Sequence, residues 1–114
     1  MKVLDIRNPR WFAAYTKPRN EKKVYERLSE AGIETFLPLY KRMKQWSDRK
    51  KIVEEPLLRS YIFVRITEKE YYKVLNTFGV VRYVTFEGKA APIPDKQIDI
   101  LKVLVGQLVD IETT

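Results

Sequence analysis

Apolar and polar positions in the N-terminal part of the chain predict a strand, a helix and a second strand. Residues 11–15 form a short aromatic-rich run, as a strand does. Apolar residues recur at helical spacing after Asn20, a suitable N-cap, so a helix of about three turns is predicted before Gly32. Residues 34–39 are typical of a second strand, and Pro38 favours an edge position in the sheet.

The C-terminal part of the chain repeats this order and adds a helix. Residues 60–66 are almost all β-branched or aromatic and give the strongest strand pattern in the chain. Thr67 and Glu70 form a capping-box pattern before a helix that we expect to end at Gly79, and residues 80–86 predict a further strand. Apolar residues recur at helical spacing in this helix and in a C-terminal helix: Tyr71, Val74, Leu75 and Phe78 in the first, and Ile98, Leu101, Leu104 and Val105 in the second.

A basic hairpin is predicted between the two β-α-β units. Residues 40–54 form two arms around the polar tip 45–48, which is typical of a hairpin turn. The order β-α-β, hairpin, β-α-β predicts an α+β fold, a ferredoxin-like split βαβ sandwich with two helices on one face of an antiparallel sheet. Residues 11–105 then form one domain, with an N-terminal arm at 1–10 and the start of a linker at 106–114. In this topology the strands at 11–15 and 60–65 are neighbours in the centre of the sheet.

The strand at 60–66 carries apolar side chains on both of its faces. Ile62 and Val64 share one face, whereas the aromatic residues on either side of Ile62 share the other. Because a two-layer fold buries one sheet face under its helices, the aromatic face is a surplus patch of the kind that marks a partner site. The candidate partner-binding residues are Tyr15, Tyr61, Phe63 and Phe86.

An alternative is that these aromatic side chains are core residues. The C-terminal helix or the basic hairpin could cover the second face, and this is the preferred interpretation for Trp11 and Phe12. For the four candidate residues exposure is preferred, except that Phe86 is left open between the two interpretations.

The charge of the chain favours an anionic partner. Lys and Arg number 22 against 15 Asp and Glu, which gives a formal charge of +7 and a pI near 9.6. Solubility or protection of a sheet edge could explain a few of these cations. Their density in the hairpin, together with an aromatic side chain near the tip, is better explained by contact with a phosphate backbone and bases. The hairpin candidates for nucleic-acid contact are Lys41, Arg42, Lys44, Trp46, Arg49, Lys50 and Lys51.

The composition also narrows the chemistry. The chain has no Cys and no His, so disulfides, thiolate nucleophiles, imidazole bases and the usual zinc ligands are excluded. Glu54 and Glu55 point to opposite faces of an extended strand, and Asp95 and Asp99 are explained by the dipole of the C-terminal helix. We therefore expect neither catalysis nor a cofactor or metal. With no apolar stretch long enough to span a bilayer and no signal-peptide pattern, a cytoplasmic monomer without membrane contact is expected.

Several short motifs occur in the order and spacing of a known family. They are Trp11-Phe12, Glu21-Lys22-Lys23-Val24, Pro38, Pro56-Leu57 leading into Tyr61-Ile62-Phe63-Val64, Gly79-Val80-Val81-Arg82-Tyr83-Val84 and Pro92-Ile93-Pro94-Asp95. Over residues 11–105 the chain resembles the N-terminal (NGN) domain of the NusG family of transcription elongation factors. Residues 15–19 and 45–51 are also similar to specialised antiterminators of the UpxY and RfaH type, which act on particular operons, often for surface polysaccharides.

The resemblance implies binding to RNA polymerase at the clamp helices of the β′ subunit, with the β subunit as a second candidate contact. A clamp across the nucleic-acid channel would suppress pausing and aid passage through terminators. By position, Tyr15, Tyr61, Phe63 and Phe86 would line the polymerase-binding cavity. Lys17, Arg19 and the hairpin cations would face upstream or non-template DNA of the transcription bubble.

The sequence departs from the family pattern in two places. The usual Phe-Pro-Gly before the tyrosine is here Leu58-Arg59-Ser60, which fits the specialised branch better. The C-terminal KOW barrel, through which family members recruit the ribosome or termination factors, is absent from this chain.

An RRM-type module that binds single-stranded RNA is the alternative function. It has the same order of elements and aromatic residues on the same central strands. Residues 59–66 approximate its RNP1 pattern, although that pattern requires Gly at Ser60 and a small residue at Ile62. The long basic hairpin is also foreign to an RRM. A nucleic-acid-processing enzyme using carboxylates and a metal is disfavoured by the placement of the acids described above.

Overall fold

The protein has three helices, a single 3-10 turn and nine strands within residues 8–46, 49–107 and 109–111, the part of the chain that the computed structural model describes. The elements are β1 (Arg10–Thr16), α1 (Glu21–Glu30), β2 (Glu34–Phe36), β3 (Leu39–Trp46), β4 (Arg49–Pro56), β5 (Tyr61–Ile66), the 3-10 turn (Glu68–Glu70), α2 (Tyr71–Leu75), β6 (Val80–Tyr83), β7 (Thr85–Phe86), β8 (Lys89–Ala90), α3 (Asp95–Gln107) and β9 (Val109–Ile111). No helix in these ranges is long and apolar enough to cross a membrane. The first seven residues of the predicted arm lie outside the described residues.

The main sheet has four antiparallel strands in the order β2-β5-β1-β6. The predicted pairing of the first strand with the strand at 60–65 is confirmed, with Tyr15 opposite Tyr61 and Ala13 opposite Phe63. Strand β2 lies at the edge of the sheet, as Pro38 predicted for the strand at 34–39. This order confirms the ferredoxin-like α+β fold.

One face of this sheet packs against the first two helices. Alternation along β1 and β5 turns Phe12 and Ile62 towards this side, where Val24 and Leu28 of α1 and Val74 of α2 meet them. All five side chains are buried. The core interpretation of Phe12 is therefore confirmed.

The opposite face of the sheet carries a second apolar cluster under α3. Trp11, Ala13 and Phe63 face this side and pack against Ile98 of α3. The segment before the helix is attached to the sheet by a hydrogen bond from the Ile93 N–H to the Trp11 carbonyl at 2.8 Å. The C-terminal helix thus covers part of the surplus face, which confirms the core interpretation for Trp11.

The helix after Thr67 is shorter than its sequence pattern predicts. The capping box is confirmed, since the Thr67 side chain accepts a hydrogen bond from the Glu70 backbone N–H and the Glu70 side chain accepts one from the Thr67 backbone N–H. However, α2 ends at Leu75: the Asn76 N–H still donates to the Tyr72 carbonyl as in an α-helix, but the Thr77 N–H donates to the Val74 carbonyl, only three residues back. The expectation that Phe78 packs with the helix is wrong, because its side chain is 65% exposed.

Two predicted strands are each divided into two. The strand at 34–39 stops at Phe36 and a new strand, β3, begins at Leu39. Pro38 between them has no N–H to continue a ladder, and its carbonyl accepts a hydrogen bond from the Leu57 N–H at 2.8 Å. The strand at 80–86 breaks at Val84, after which β7 pairs with β8 in a separate small hairpin.

The basic hairpin and the C-terminal helix are confirmed. Strands β3 and β4 pair antiparallel from Leu39–Pro56 at the base to Trp46–Arg49, while the tip residues Ser47 and Asp48 lie outside the described residues. The predicted boundary before Gly106 falls inside α3, which continues to Gln107. After it β9 pairs with β3 in parallel, so these residues contact the domain.

Candidate functional site

Tyr15 and Tyr61 form a pair at the end of the two central strands. They lie opposite each other in the β1–β5 register, and their ring centroids are 4.9 Å apart. The guanidinium of Arg82, which is opposite Tyr15 on β6, lies 4.6 Å from the Tyr15 ring centroid. A hydrogen bond with Tyr15 raises the pKa of the Tyr61 hydroxyl above its ordinary value. Both tyrosines remain partly exposed, so the pair offers aromatic surface to a partner.

Phe63 does not share this exposure, although it lies on the same strand face as Tyr61. Its side chain is only 8% exposed, stacks on Phe36 with a centroid distance of 6.0 Å, and packs in the cluster under α3. The expectation that Phe63 is exposed is therefore wrong. Beside it a shallow groove of about 280 Å³ runs along the helix, lined by Phe63, Ile93, Gln97, Ile98, Ile100, Leu101 and Leu104.

Phe86 stands on the separate β7–β8 hairpin. Its side chain is 70% exposed, so the choice left open by the sequence is decided in favour of exposure. The turn that presents it consists of Glu87 and Gly88, both with positive φ (53° and 79°), as a two-residue hairpin turn requires. The four predicted aromatic residues thus occupy three settings, and only Tyr15 and Tyr61 touch each other in a described ring contact.

The hairpin cations fall on two faces. Residues directly opposite each other in the ladder share a face, and the face alternates along each strand. One face carries Arg42, Lys44 and Trp46 of β3 with Arg49 and Lys51 of β4, and the other carries Lys41 and Lys50. Next to the tip, the Lys51 ammonium lies 5.2 Å from the Trp46 ring centroid.

An acid lies within the first of these faces. The Glu55 carboxylate pairs with Lys44 at 3.0 Å and with Arg42 at 3.1 Å. The hydrogen bonds from Lys44 and then Arg42 hold the pKa of the Glu55 carboxyl below its ordinary value. The sequence predicted that both cations are available to a partner, whereas in the structure each forms an ion pair with the Glu55 carboxylate.

A concavity of about 590 Å³ opens between the base of the hairpin, the β1–α1 turn and the β4–β5 loop. We call it the basic cleft. Cations outnumber acids five to two among its lining residues, which are Pro18, Arg19, Glu21, Lys22, Arg42, Lys44, Glu55, Pro56, Arg59 and Ser60. The cleft therefore joins the predicted cations of the turn and of the hairpin on one surface.

Two cations of the basic cleft were not among the residues predicted to contact nucleic acid. Lys22 lies on α1, and its ammonium donates to the Glu54 carbonyl at 2.6 Å. Arg59 lies in the loop before β5 and is exposed. Arg59 has no cation beside it in the sequence, and Lys22 lies on a helix outside the basic hairpin, so the charge density of the hairpin did not single them out. The predicted Lys17 is not among the cleft residues, and its ammonium instead lies 4.8 Å from the Phe78 ring centroid.

Side-chain chemistry in the described residues offers no metal centre. No group of three or more Asp and Glu residues there is arranged to hold a metal ion. What the surface offers is aromatic contact area at Tyr15 and Tyr61 and positive charge around the basic cleft. Both are properties of binding surfaces.

The fold is similar to that of a known structure. The chain superposes on a structure described as "Domain interaction in Thermotoga maritima NusG" with a TM-score of 0.63 and 20% sequence identity, over 90% of this chain and 60% of that chain. The chain thus spans less than two thirds of the length of that NusG. Among curated protein sequences none matches significantly.

The sequence itself matches the family described as "Transcription termination factor nusG" over residues 9–102. The match covers β1 through most of α3 and includes both the tyrosine pair and the basic cleft. The family is thus one of transcription termination factors. The chain belongs to the NusG family.

Proposed function

We propose that this domain binds the β′ clamp helices of RNA polymerase through the Tyr15–Tyr61 pair. The observation that carries the proposal is the contact of these two rings, which stand partly exposed at the end of the central strands. Tyrosine supplies a large apolar area together with a polar end, and such residues dominate the energetics of protein interfaces. Phe86, exposed on its own hairpin, is the third proposed contact.

Phe63 lies beside Tyr61 on the same face of β5 and supports this surface. Because it is buried against Ile98, it holds β5 and α3 together and so positions the neighbouring tyrosine. Exposed Ile100 and Leu104 on α3 extend the apolar area beside it. The β subunit of polymerase is a second proposed contact.

The basic cleft is the proposed nucleic-acid side of the domain. Arg19, Arg59 and the hairpin cations would face the upstream or non-template DNA of the transcription bubble, where phosphates supply affinity and little sequence selectivity. A domain held to polymerase by one surface and to DNA by the other would bridge the nucleic-acid channel. We propose that this bridge suppresses pausing and termination.

The specialised antiterminator branch is the proposed position of this protein within its family. Its support is the Leu58-Arg59-Ser60 sequence before β5, which places a cation in the basic cleft. We further propose a cytoplasmic monomer that acts on particular operons, such as those for surface polysaccharides. Recruitment of the ribosome or a termination factor would fall to a KOW domain of a longer protein.

The RRM alternative is not favoured. An RRM stacks bases on aromatic residues exposed on its central strands. Here α3 covers the equivalent position, and Phe63 is buried beneath it. A separate comparison of affinity for short single-stranded RNA and for core polymerase distinguishes the two functions.

The test is direct binding of the chain to core RNA polymerase. Tyr61→Ala is expected to lower the affinity at least tenfold while thermal unfolding stays close to that of the native protein, because the residue is partly exposed. Tyr25→Ala, which removes an exposed tyrosine from α1, is the matched control and should bind normally. A folded Tyr61→Ala protein with native affinity would refute the proposal.

A further inference from the structure

Glu55 places a negative charge inside the basic cleft, between two of its cations. Its Oε1 atom lies 3.0 Å from the Lys44 Nζ atom, and its Oε2 atom lies 3.1 Å from the Arg42 Nη1 atom. Each carboxylate oxygen therefore engages a different cation. Both cations belong to β3, and Glu55 reaches them from β4 because it shares their face of the ladder.

These ion pairs are open to a ligand that enters the cleft. The side chains of Arg42, Lys44 and Glu55 keep between 23% and 31% exposure, and all three line the cleft. The other acid of the cleft, Glu21, is only 5% exposed, so Glu55 is the acid that a ligand can reach. Ion pairs that water reaches stabilise a fold only modestly, so a stronger anion can replace the carboxylate.

Two oxygens of a backbone phosphate can take the positions of the two carboxylate oxygens. Arginine presents N–H donors that match the geometry of phosphate, and lysine adds a compact positive charge. Arg19 and Arg59 line the same cleft and are exposed, so neighbouring phosphates of the same strand have further cations to contact. The cleft thus has two states, one closed by its own carboxylate and one occupied by phosphate.

We propose that Glu55 is an internal counterion of the basic cleft, which a phosphate of DNA displaces from Lys44 and Arg42. This inference rests on the proposed function, because it describes how the nucleic-acid side of the domain is regulated. Without DNA, the carboxylate offsets part of the charge of the two cations. DNA contacts them only where its phosphates interact more strongly than Glu55 does, so Glu55 lowers the affinity and excludes ligands of low charge density.

An acidic protein segment is the competing ligand of the cleft. At Lys44 and Arg42 it would replace one carboxylate by another, which gains little. Double-stranded DNA carries one negative charge per about 1.7 Å of helix axis and therefore offers several phosphates to the cleft at once. Charge density is the reason to prefer DNA.

The test measures the affinity of the whole chain for a short DNA duplex. Glu55→Gln keeps the size of the side chain and removes its charge, so it should raise the affinity about threefold or more. The slope of log affinity against log salt should steepen by up to about one. In the native protein the displaced carboxylate takes up a counterion from solution, and the variant has no such group.

Glu54→Gln is the matched control for the change in net charge. Glu54 is exposed and lies on the opposite face of β4, since neighbouring residues of a strand point to opposite sides. The control should change the DNA affinity less than about twofold. Lys44→Gln, added to Glu55→Gln, should reduce the gain in affinity, because one of the two released cations is then missing.

The stability of Glu55→Gln distinguishes a counterion from a residue with a structural role alone. Loss of the ion pairs lowers the melting temperature at pH 7 in either case. A structural role predicts that the DNA affinity falls or stays the same, whereas a counterion role predicts that it rises while the melting temperature falls. The affinity is therefore measured well below the melting temperature of the variant.

The inference is overturned if Glu55→Gln and Glu54→Gln have the same DNA affinity, or if polyglutamate displaces the duplex at equal total charge. Arg19→Gln with Arg59→Gln reports on the cleft itself. If this double variant keeps the native DNA affinity, the proposed nucleic-acid side fails together with the inference. If it loses affinity while the two glutamate variants agree, only the role of Glu55 fails. Affinity for core polymerase, measured in parallel, tests the tyrosine pair independently.

Discussion

The carboxylate of Glu21 accepts a hydrogen bond from the backbone N–H of Ser60 at 2.7 Å. Ser60 has φ +66°, a left-handed conformation that favours glycine, and the family pattern has glycine at this position. Glu21 is 5% exposed in the first turn of α1, where a negative charge is favourable. One side chain therefore joins the start of α1 to the start of β5 and fixes one wall of the basic cleft against the other.

Glu21→Ala is expected to destabilise the fold. It leaves the Ser60 N–H without its acceptor at a strained position, which costs about 1–3 kcal/mol in the free energy of unfolding. Urea denaturation measures the change. Glu26→Ala, an exposed acid on the same helix, is the control and should lie within about 0.5 kcal/mol of the native protein. Equal stability of the two variants would contradict the assigned role of Glu21.

Gly79→Ala is expected to lower stability by roughly 1–3 kcal/mol. The new Cβ would collide with Val24 in the main core, and the positive φ disfavours any side chain. Gly106→Ala is the matched control, because a Cβ there meets open space on α3 and alanine is the better helix former. Thermal unfolding of both variants checks the difference. The melting temperature should fall for Gly79→Ala and should stay the same or rise for Gly106→Ala.

Phe63→Ala is expected to lower the stability of the fold, whereas Tyr61→Ala is expected to lower the affinity for polymerase. The buried Phe63 leaves a cavity between β5 and α3, which costs about 3–5 kcal/mol, so loss of polymerase binding by that variant would follow from unfolding. The partly exposed Tyr61 should affect binding far more than stability. Calorimetry of both variants beside the polymerase measurement separates these effects, and a stable Phe63→Ala protein would mean that α3 does not cover the sheet as described.

The Glu55 ion pairs predict a pH dependence. A carboxyl whose pKa is lowered in the folded state stabilises the fold above its unfolded value of about 4.5, and that contribution is lost as the pH falls through the folded pKa. Glu55→Gln should therefore reduce the melting temperature at pH 7, and the difference from the native protein should shrink below about pH 4.5. A difference that stays constant down to pH 3 would contradict the pairing with Lys44 and Arg42.

The two faces of the hairpin predict unequal effects of the same change in charge. Arg49→Gln with Lys51→Gln removes two cations from the face that continues into the basic cleft, and Lys41→Gln with Lys50→Gln removes two from the opposite face. The first pair should weaken binding to an elongation complex more, and the loss should be larger at low salt than at high salt. If both double variants lose the same affinity, or if the loss does not depend on salt, the first face is not the one that contacts DNA.

Local patterns were sufficient for most elements of the fold. The capping box at Thr67 and Glu70, the alternation of Ile62 and Val64 and the pairing of the two hairpin arms depend on neighbours in sequence, and all three were predicted correctly. The predicted tip was too long, because Gln45 and Trp46 belong to β3. The end of α2 was not predicted correctly. A helical repeat continues through Phe78 in the sequence, but the backbone turns earlier and Gly79 lies directly against Val24, a contact between residues distant in sequence.

The candidate site also has features that local sequence predicts and features that depend on tertiary contacts. The sequence by itself determined that the chain has an aromatic strand, an excess of cations and a chemistry without His or Cys, because composition and alternation are properties of the chain alone. Only the tertiary structure decided which aromatics stay exposed, since α3 covers Phe63 and leaves Tyr15 and Tyr61 beside Arg82. Likewise, it decided which cations share a surface. Burial and ion pairing are set by contacts between elements far apart in sequence, and no local pattern specifies them.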